Sequence, residues 1–153
     1  MSKIYRNVAA CVVRGFLSGC GERLSPEDQV RKYLTTVVAA VEARDVLAVR
    51  EVVSDNYKDD ASRTRQNLLR LVTGYFLRHK NIYLFSQVEE ISFPEVGQSR
   101  VKILVAMAGS PMTGSEALLD FKADLYEFDL TLQQEGDVWH LTKARWQWAA
   151  IDN

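Results

Sequence analysis

The stretch from Leu125 to Ala149 constrains the fold more than any other part of the chain, because it has the pattern of one long β-hairpin. Two runs rich in aromatic and branched residues flank a polar tetrad that contains Gly136 and Asp137. Side chains switch faces at each strand residue, so the alternation in the first run predicts one apolar face. That face consists of Tyr126, Phe128, Leu130 and Leu132.

The register of this hairpin is predicted by keeping charge out of the apolar face. A three-residue loop at 135–137 places Asp129 opposite Lys143 and Tyr126 opposite Trp146. A slip by one residue would put Lys143 among the rings. Because register is strongly specified when one face is buried, we expect the first pairing.

This register assigns a set of side chains to one inner wall, where we expect them to line a pocket. The set is Tyr126, Phe128, Leu130, His140, Thr142, Trp146 and Trp148. Since the two faces alternate, Trp139 is expected to point outward beside Leu141, where it could mark a contact with a protein.

The N-terminus has the layout of a secretory signal. Residues 1–19 begin with basic residues, continue with a modestly apolar stretch and end with small residues. The four residues 17–20, Leu-Ser-Gly-Cys, resemble a bacterial lipobox. That resemblance implies cleavage before Cys20 and acylation of its thiol, followed by a short tether over 20–24 and a domain over 25–153. The alternative is a disordered tail with an incidental cysteine, because Arg14 interrupts the apolar stretch.

Length and composition fit a single domain behind that segment. The chain has 153 residues, of which 47% are hydrophobic, enough to form a sizeable core. Its net charge of −1 gives no electrostatic footprint for nucleic acid.

Three helices are predicted before the sheet. Ser25 and Pro26 suit the start of a helix that runs to about Arg44, and a shorter helix is expected from Asp45 to about Ser54. A third helix is predicted over 62–79. Its cationic residues form either a basic patch for an acidic partner or a solvated face. They are Arg63, Arg65, Arg70, Arg78 and Lys80.

Two further strands are predicted before the hairpin, at 81–93 and 100–107, joined by a turn near Gly97. The following connection, 108–121, contains glycines and a proline. It is interpreted as a binding loop or lid, or as a wide crossing with no role in binding.

The order of helix, short helix, brief segment, helix and four long antiparallel strands resembles the nuclear transport factor 2-like (SnoaL-like) superfamily. The resemblance covers about 25–149 and implies an α+β, cystatin-like cone, in which three N-terminal helices pack in the concave face of a curved four-stranded sheet. Members bind small apolar molecules or pair with partners, and some are isomerases, dehydratases or hydrolases.

Catalysis in such a cone would need an inward acid or base within reach of the substrate. His140 is the only strand histidine, and Tyr57, Asp59 and Asp60 could lie near the mouth. A lone histidine on an apolar face is more often a satisfied structural residue. No cofactor is expected, and two histidines without a ligand cluster predict no metal site.

The sequence therefore favours a non-catalytic lipoprotein in the bacterial cell envelope, at the outer membrane and facing the periplasm. Its expected partners are the membrane, through Cys20, and a protein or a small apolar ligand. The first two strands could also hold a homodimer contact. The alternative is an isomerase- or dehydratase-type enzyme that uses His140 with Tyr57 or Asp60.

Overall fold

The computed structural model describes residues 23–109 and 124–149, which form three helices followed by four strands. The signal-like segment, Cys20 and most of the connection predicted at 108–121 lie outside the described residues. Among the helices within these two ranges, none combines the length and the apolar character needed to cross a bilayer.

The first helix, α1, spans Pro26–Glu42 and begins as its sequence predicts. The Ser25 hydroxyl accepts a hydrogen bond from the Asp28 amide and donates one to the Asp28 carboxylate. The helix ends two residues before Arg44, which has a left-handed backbone with φ of 55°. The Arg44 guanidinium then donates to the Phe76 carbonyl at 2.6 Å and so ties the end of α1 to the third helix.

The second helix, α2, spans Val46–Glu51, and the Asp45 carboxylate caps its first turn. It is shorter than predicted because the chain beyond it joins the sheet. The Leu141 amide donates to the Val52 carbonyl, and the Ser54 amide donates to the Leu141 carbonyl.

The third helix, α3, spans Arg65–Arg78. It begins three residues later than predicted, because Ser62 has a left-handed backbone with φ of 59°. The amide and hydroxyl of Thr64 both donate to the Asn67 side chain, which fixes the start of the helix.

The sheet contains four antiparallel strands in sequence order: β1 Tyr83–Glu95, β2 Gln98–Ala108, β3 Asp124–Glu135 and β4 Val138–Trp148. Its inner face packs against the helices. One core cluster joins Val30 and Leu34 of α1 to Ile103 and Leu132, and a second joins α2 and α3 to β4. Fully burying a side chain such as Leu132 contributes roughly 1.5–3 kcal/mol. The predicted α+β fold, with helices in the concave face of a curved sheet, is confirmed.

The predicted register of the β3–β4 hairpin is wrong. Its turn contains two residues, Gly136 and Asp137, so that Glu135 pairs with Val138. Gly136 has φ of 66°, which a two-residue hairpin turn with glycine at its first position requires. The predicted pairs of Asp129 with Lys143 and Tyr126 with Trp146 therefore do not form. Asp129 instead pairs with Arg145, and Tyr126 with Trp148.

A β-bulge at Thr142 shifts the pairing again and reverses the alternation of β4. Leu141 pairs with Leu132, whereas Lys143 pairs with Thr131, so β4 holds one extra residue between these pairs. The apolar residues before and after the bulge consequently share the inner face.

The most visible consequence is that Trp139 points inward. It is only 5% exposed, belongs to the core cluster around α1, and donates from its indole Nε1 to Gln29 at 3.2 Å. The prediction of an outward Trp139 that marks a protein contact is wrong, because constant alternation fails at the bulge.

Candidate functional site

An aromatic wall lines the inner face of the sheet toward the end at which β4 finishes. It consists of two cross-strand pairs, Tyr126 with Trp148 and Phe128 with Trp146. Their ring centroids lie 4.5 Å and 6.3 Å apart, respectively. Trp148 is 63% exposed, whereas the other three rings are half-buried, so the wall runs from the core to the solvent.

Arg63 covers the inner part of this wall. Its guanidinium carbon lies 4.5 Å from the centroid of the Trp146 ring, within the range of a cation–π interaction. The residue stands just before α3, and its side chain is 37% exposed. The guanidinium thus contacts an aromatic face, and the Arg63 side chain as a whole remains partly exposed.

Asp59 holds Arg63 in that position. Its carboxylate accepts from the Arg63 Nε at 2.6 Å and from the backbone amides of Ala61 and Arg63 at 2.9 Å each. The Tyr57 hydroxyl donates to the same carboxylate at 3.4 Å. The Asp59 side chain is 1% exposed, so the loop 59–63 is organised around one buried, fully bonded carboxylate.

Neither Asp59 nor Tyr57 is poised to exchange a proton near neutral pH. Burial acts to raise the pKa of Asp59, but the hydrogen bonds and charge of Arg63 outweigh it and hold that pKa below its ordinary value. Burial, followed by the charge of Asp59, raises the pKa of Tyr57 to about 12. At neutral pH the carboxylate is therefore charged and the phenol neutral.

Asp60 lies beside Asp59 in sequence but in a different environment. It is exposed and forms ion pairs with Lys143 at 2.5 Å and with Arg145 at 3.2 Å. The hydrogen bond from Lys143, followed by the charges of both cations, holds the pKa of Asp60 below its ordinary value. Lys143 was expected to lie opposite Asp129 across the hairpin, and the structure pairs it with the loop before α3 instead.

His140 stands on the outer face of β4, opposite Gln133, and not on the inner wall. Its Nδ1 lies 3.5 Å from the Glu135 carboxylate, and that carboxylate accepts a hydrogen bond from the buried Ser54 hydroxyl at 2.5 Å. The structure therefore does not bring His140 together with the aromatic rings. The placement expected for it in the pocket is wrong for the same reason as that of Trp139.

Two other residues predicted to line the pocket serve the sheet or the core. Thr142 occupies the bulge, and its hydroxyl donates to the Thr131 carbonyl at 3.1 Å. Leu130 lies on the inner face and packs against both core clusters. Of the predicted set, the four rings of the aromatic wall lie on the inner face at the end of the sheet where β4 finishes.

A separate groove of about 690 Å³ lies at the opposite end, between α1 and the β3–β4 turn. Arg23, Leu24, Gln29, Lys32 and Trp139 are among its lining residues. None of the residues predicted to line the pocket borders it. One sequence signal would have placed Trp139 here. The apolar positions of β4 switch from odd numbers, at 139 and 141, to even numbers, at 144, 146 and 148.

Several solved structures have the same fold at low sequence identity. Bd1075 of Bdellovibrio bacteriovorus matches with a TM-score of 0.66 and 13% identity over 82% of this chain, which spans 41% of that protein. A domain of unknown function with a cystatin-like fold from Nostoc punctiforme matches with a TM-score of 0.63 and 10% identity, over 82% of this chain and 78% of that one. A candidate dehydratase of the nuclear transport factor 2-like family from Streptomyces avermitilis matches with a TM-score of 0.62 and 15% identity, over 83% of this chain and 100% of that one.

These likenesses define the chain as having the nuclear transport factor 2-like fold. No protein-family model matches the sequence, and no curated protein matches it either. Because members of this fold differ widely in activity, function has to be argued from the residues of the site.

Proposed function

We propose that this chain is a lipoprotein of the bacterial envelope, anchored through Cys20 to the outer membrane on its periplasmic side, and that its cone binds a small, largely apolar ligand that carries a negative group, without catalysis. The supporting sequence feature is the lipobox-like run that ends at Cys20. The supporting structural feature is the aromatic wall with Arg63 above it.

The single observation that carries the binding proposal is that the Asp59 carboxylate is buried and fully hydrogen-bonded. It is the buried carboxylate of the described residues, and four donors already occupy it. A general base needs a free lone pair and a pKa near the working pH, and Asp59 lacks both. Its role is then to fix Arg63, whose position suits an aromatic ligand that carries a negative group.

A flat aromatic anion fits this arrangement for two reasons. The rings of Trp148 and Tyr126 offer stacking surfaces at the solvent end of the wall. The Arg63 guanidinium offers a charge for a carboxylate or sulfonate at the inner end. Burial of Trp139 in the core removes the apolar outer surface that a protein partner at that position would have used.

An isomerase- or dehydratase-type enzyme is the second candidate, and one contact favours it. The Tyr57 hydroxyl lies 3.4 Å from the Asp59 carboxylate beside the aromatic wall, so a proton could be relayed between them when a substrate displaces Arg63. The pairing of His140 with Tyr57 or Asp60 expected from the sequence does not form, because His140 lies on the outer face and Asp60 pairs with Lys143.

Mass spectrometry of the intact chain recovered from its native membrane tests the proposal. Under denaturing conditions we expect the mass of residues 20–153 plus the acyl groups, and under native conditions an additional small molecule. An unprocessed, unacylated chain would overturn the anchor. A Trp148→Ala variant that retains the same small molecule in the same amount would overturn the site, with Leu71→Ala as the control at an exposed position of α3.

A further inference from the structure

Both hairpin turns of the sheet lie at the same end of the molecule, here called the turn end. The Gln134 amide donates to the Gly97 carbonyl at 2.8 Å, which joins the β1–β2 turn directly to the β3–β4 hairpin. The start of α1 lies there too, since Leu24 borders the same groove as Val138. The aromatic wall faces the opposite end, where β4 finishes.

The turn end displays apolar side chains that nothing in the described residues covers. Val96 is fully exposed, Val138 is 58% exposed and Leu24 is 50% exposed. Phe93 is also exposed and rests at 6.2 Å from the Trp139 ring. Half of the large apolar side chains that are exposed in the described residues therefore gather here, at the tips of both hairpins and beside the first helix.

Cys20 is only three residues before Arg23, where the described chain begins. An extended chain spans at most about 3.6 Å per residue, so this link reaches roughly 11 Å. An acyl group on Cys20 would hold Arg23, which lies at the turn end, within that distance of the bilayer.

We propose that the turn end docks onto the bilayer surface, with Val96, Val138 and Leu24 inserted at the level of the lipid headgroups. This proposal rests on the acylation of Cys20 proposed above. Removing apolar side chains from water favours the contact, and the anchor supplies the high local concentration that makes a small contact effective.

The charges around the tips indicate that the contact is apolar and not electrostatic. Arg23 and Lys32 at the groove are offset by Asp137 and Glu51, which border it as well. We therefore expect docking to depend little on anionic lipid or on salt. Docked in this way, the domain presents its aromatic wall away from the membrane, toward the periplasm.

Site-directed spin labelling of the acylated full chain tests the docking. Processing removes Cys11 and acylation blocks Cys20, so Val96→Cys and Val138→Cys each supply a single free thiol. Leu77→Cys is the matched control, an exposed apolar position at the far end of α3. Nitroxides at these positions are compared in phosphatidylcholine vesicles for collision with oxygen, which enters the bilayer, and with a nickel chelate, which stays in water.

We expect the labels at 96 and 138 to favour oxygen and to be shielded from nickel by at least about fivefold relative to the label at 77, with no change in 0.5 M salt. Equal nickel access at all three positions in a chain whose mass shows acylation would overturn the docking alone. Shielding of 96 and 138 from both reagents would indicate a protein contact and would also overturn it. An unacylated mass would overturn the anchor and the docking together.

Discussion

The guanidinium of Arg63 lies 4.5 Å above the ring of Trp146, and this pair joins the loop before α3 to the last strand of the sheet. Asp59 fixes the arginine from below with charge-assisted hydrogen bonds. The loop before α3 thus holds a cation over the aromatic wall. This pair supports the proposal that the aromatic wall binds a ligand and does not transfer a proton.

The buried and exposed tryptophans of β4 should differ sharply in their effect on stability. Trp139→Ala removes a large core side chain and its bond to Gln29, so we expect a loss of about 3–5 kcal/mol in the free energy of unfolding. Trp148→Ala removes a mostly exposed ring that contacts Tyr126, and should cost less than about 1.5 kcal/mol. Urea denaturation of both variants measures the difference, and equal losses would contradict the register with the bulge.

Neighbouring aspartates should also behave differently. Asp59→Ala leaves the amides of Ala61 and Arg63 without their acceptor and frees the Arg63 side chain, so we expect a clear drop in the melting temperature. Asp60→Ala removes only exposed ion pairs with Lys143 and Arg145, which contribute little in water. Thermal melting by circular dichroism compares the two, and the loop assignment is wrong if Asp60→Ala is the more damaging change.

Tyr57 should make stability fall at alkaline pH. Its pKa is raised from 10.0 to about 12 in the folded chain, so the unfolded state loses the proton first. The contribution of the protonated Tyr57 to the free energy of unfolding is complete below pH 10 and is lost as the pH rises toward 12. Tyr57→Phe should therefore lose less stability than the wild type between pH 8 and pH 11, as measured by urea midpoints at each pH. Identical losses would show that the phenol is not buried beside Asp59.

The β3–β4 turn should tolerate a side chain at Gly136 only with strain. The space around a new Cβ is open, but φ of 66° is a conformation that residues with a side chain rarely adopt. We expect Gly136→Ala to cost about 1–2 kcal/mol. Asp137→Ala, which changes the neighbouring turn residue without that backbone demand, is the control in the same urea experiment. A neutral Gly136→Ala would imply a turn of another type.

Element order and the helix starts could be predicted from the sequence, because local chemistry determines them. Ser25 and Asp45 cap helices where their side chains indicated. The hairpin register could not be predicted from constant alternation, because the bulge at Thr142 adds one residue and exchanges the faces of His140 and Trp139 relative to the later rings.

The common face of the rings was predictable from the sequence, but the placement of the charges was not. The inner face holds Tyr126, Phe128, Trp146 and Trp148 despite the wrong register. The extra residue at the bulge offsets the one-residue difference in the turn, so these rings stay on the predicted face. Which of the two aspartates, Asp59 or Asp60, is buried depends on which carboxylate the loop turns inward. That choice follows from tertiary contacts with Arg63 and Lys143, and adjacent identical residues carry no local signal for it.

The most direct test of the central claim is an equilibrium titration with anilinonaphthalene sulfonate, an aromatic anion, followed by its fluorescence. We predict saturable binding of one molecule per folded chain, and a Kd raised up to about tenfold in Trp148→Ala, as expected for the loss of one aromatic contact. His140→Ala, on the outer face, should leave the Kd unchanged. Equal binding by the wild type and Trp148→Ala, with a loss in His140→Ala, would contradict the assignment of the aromatic wall as the ligand site.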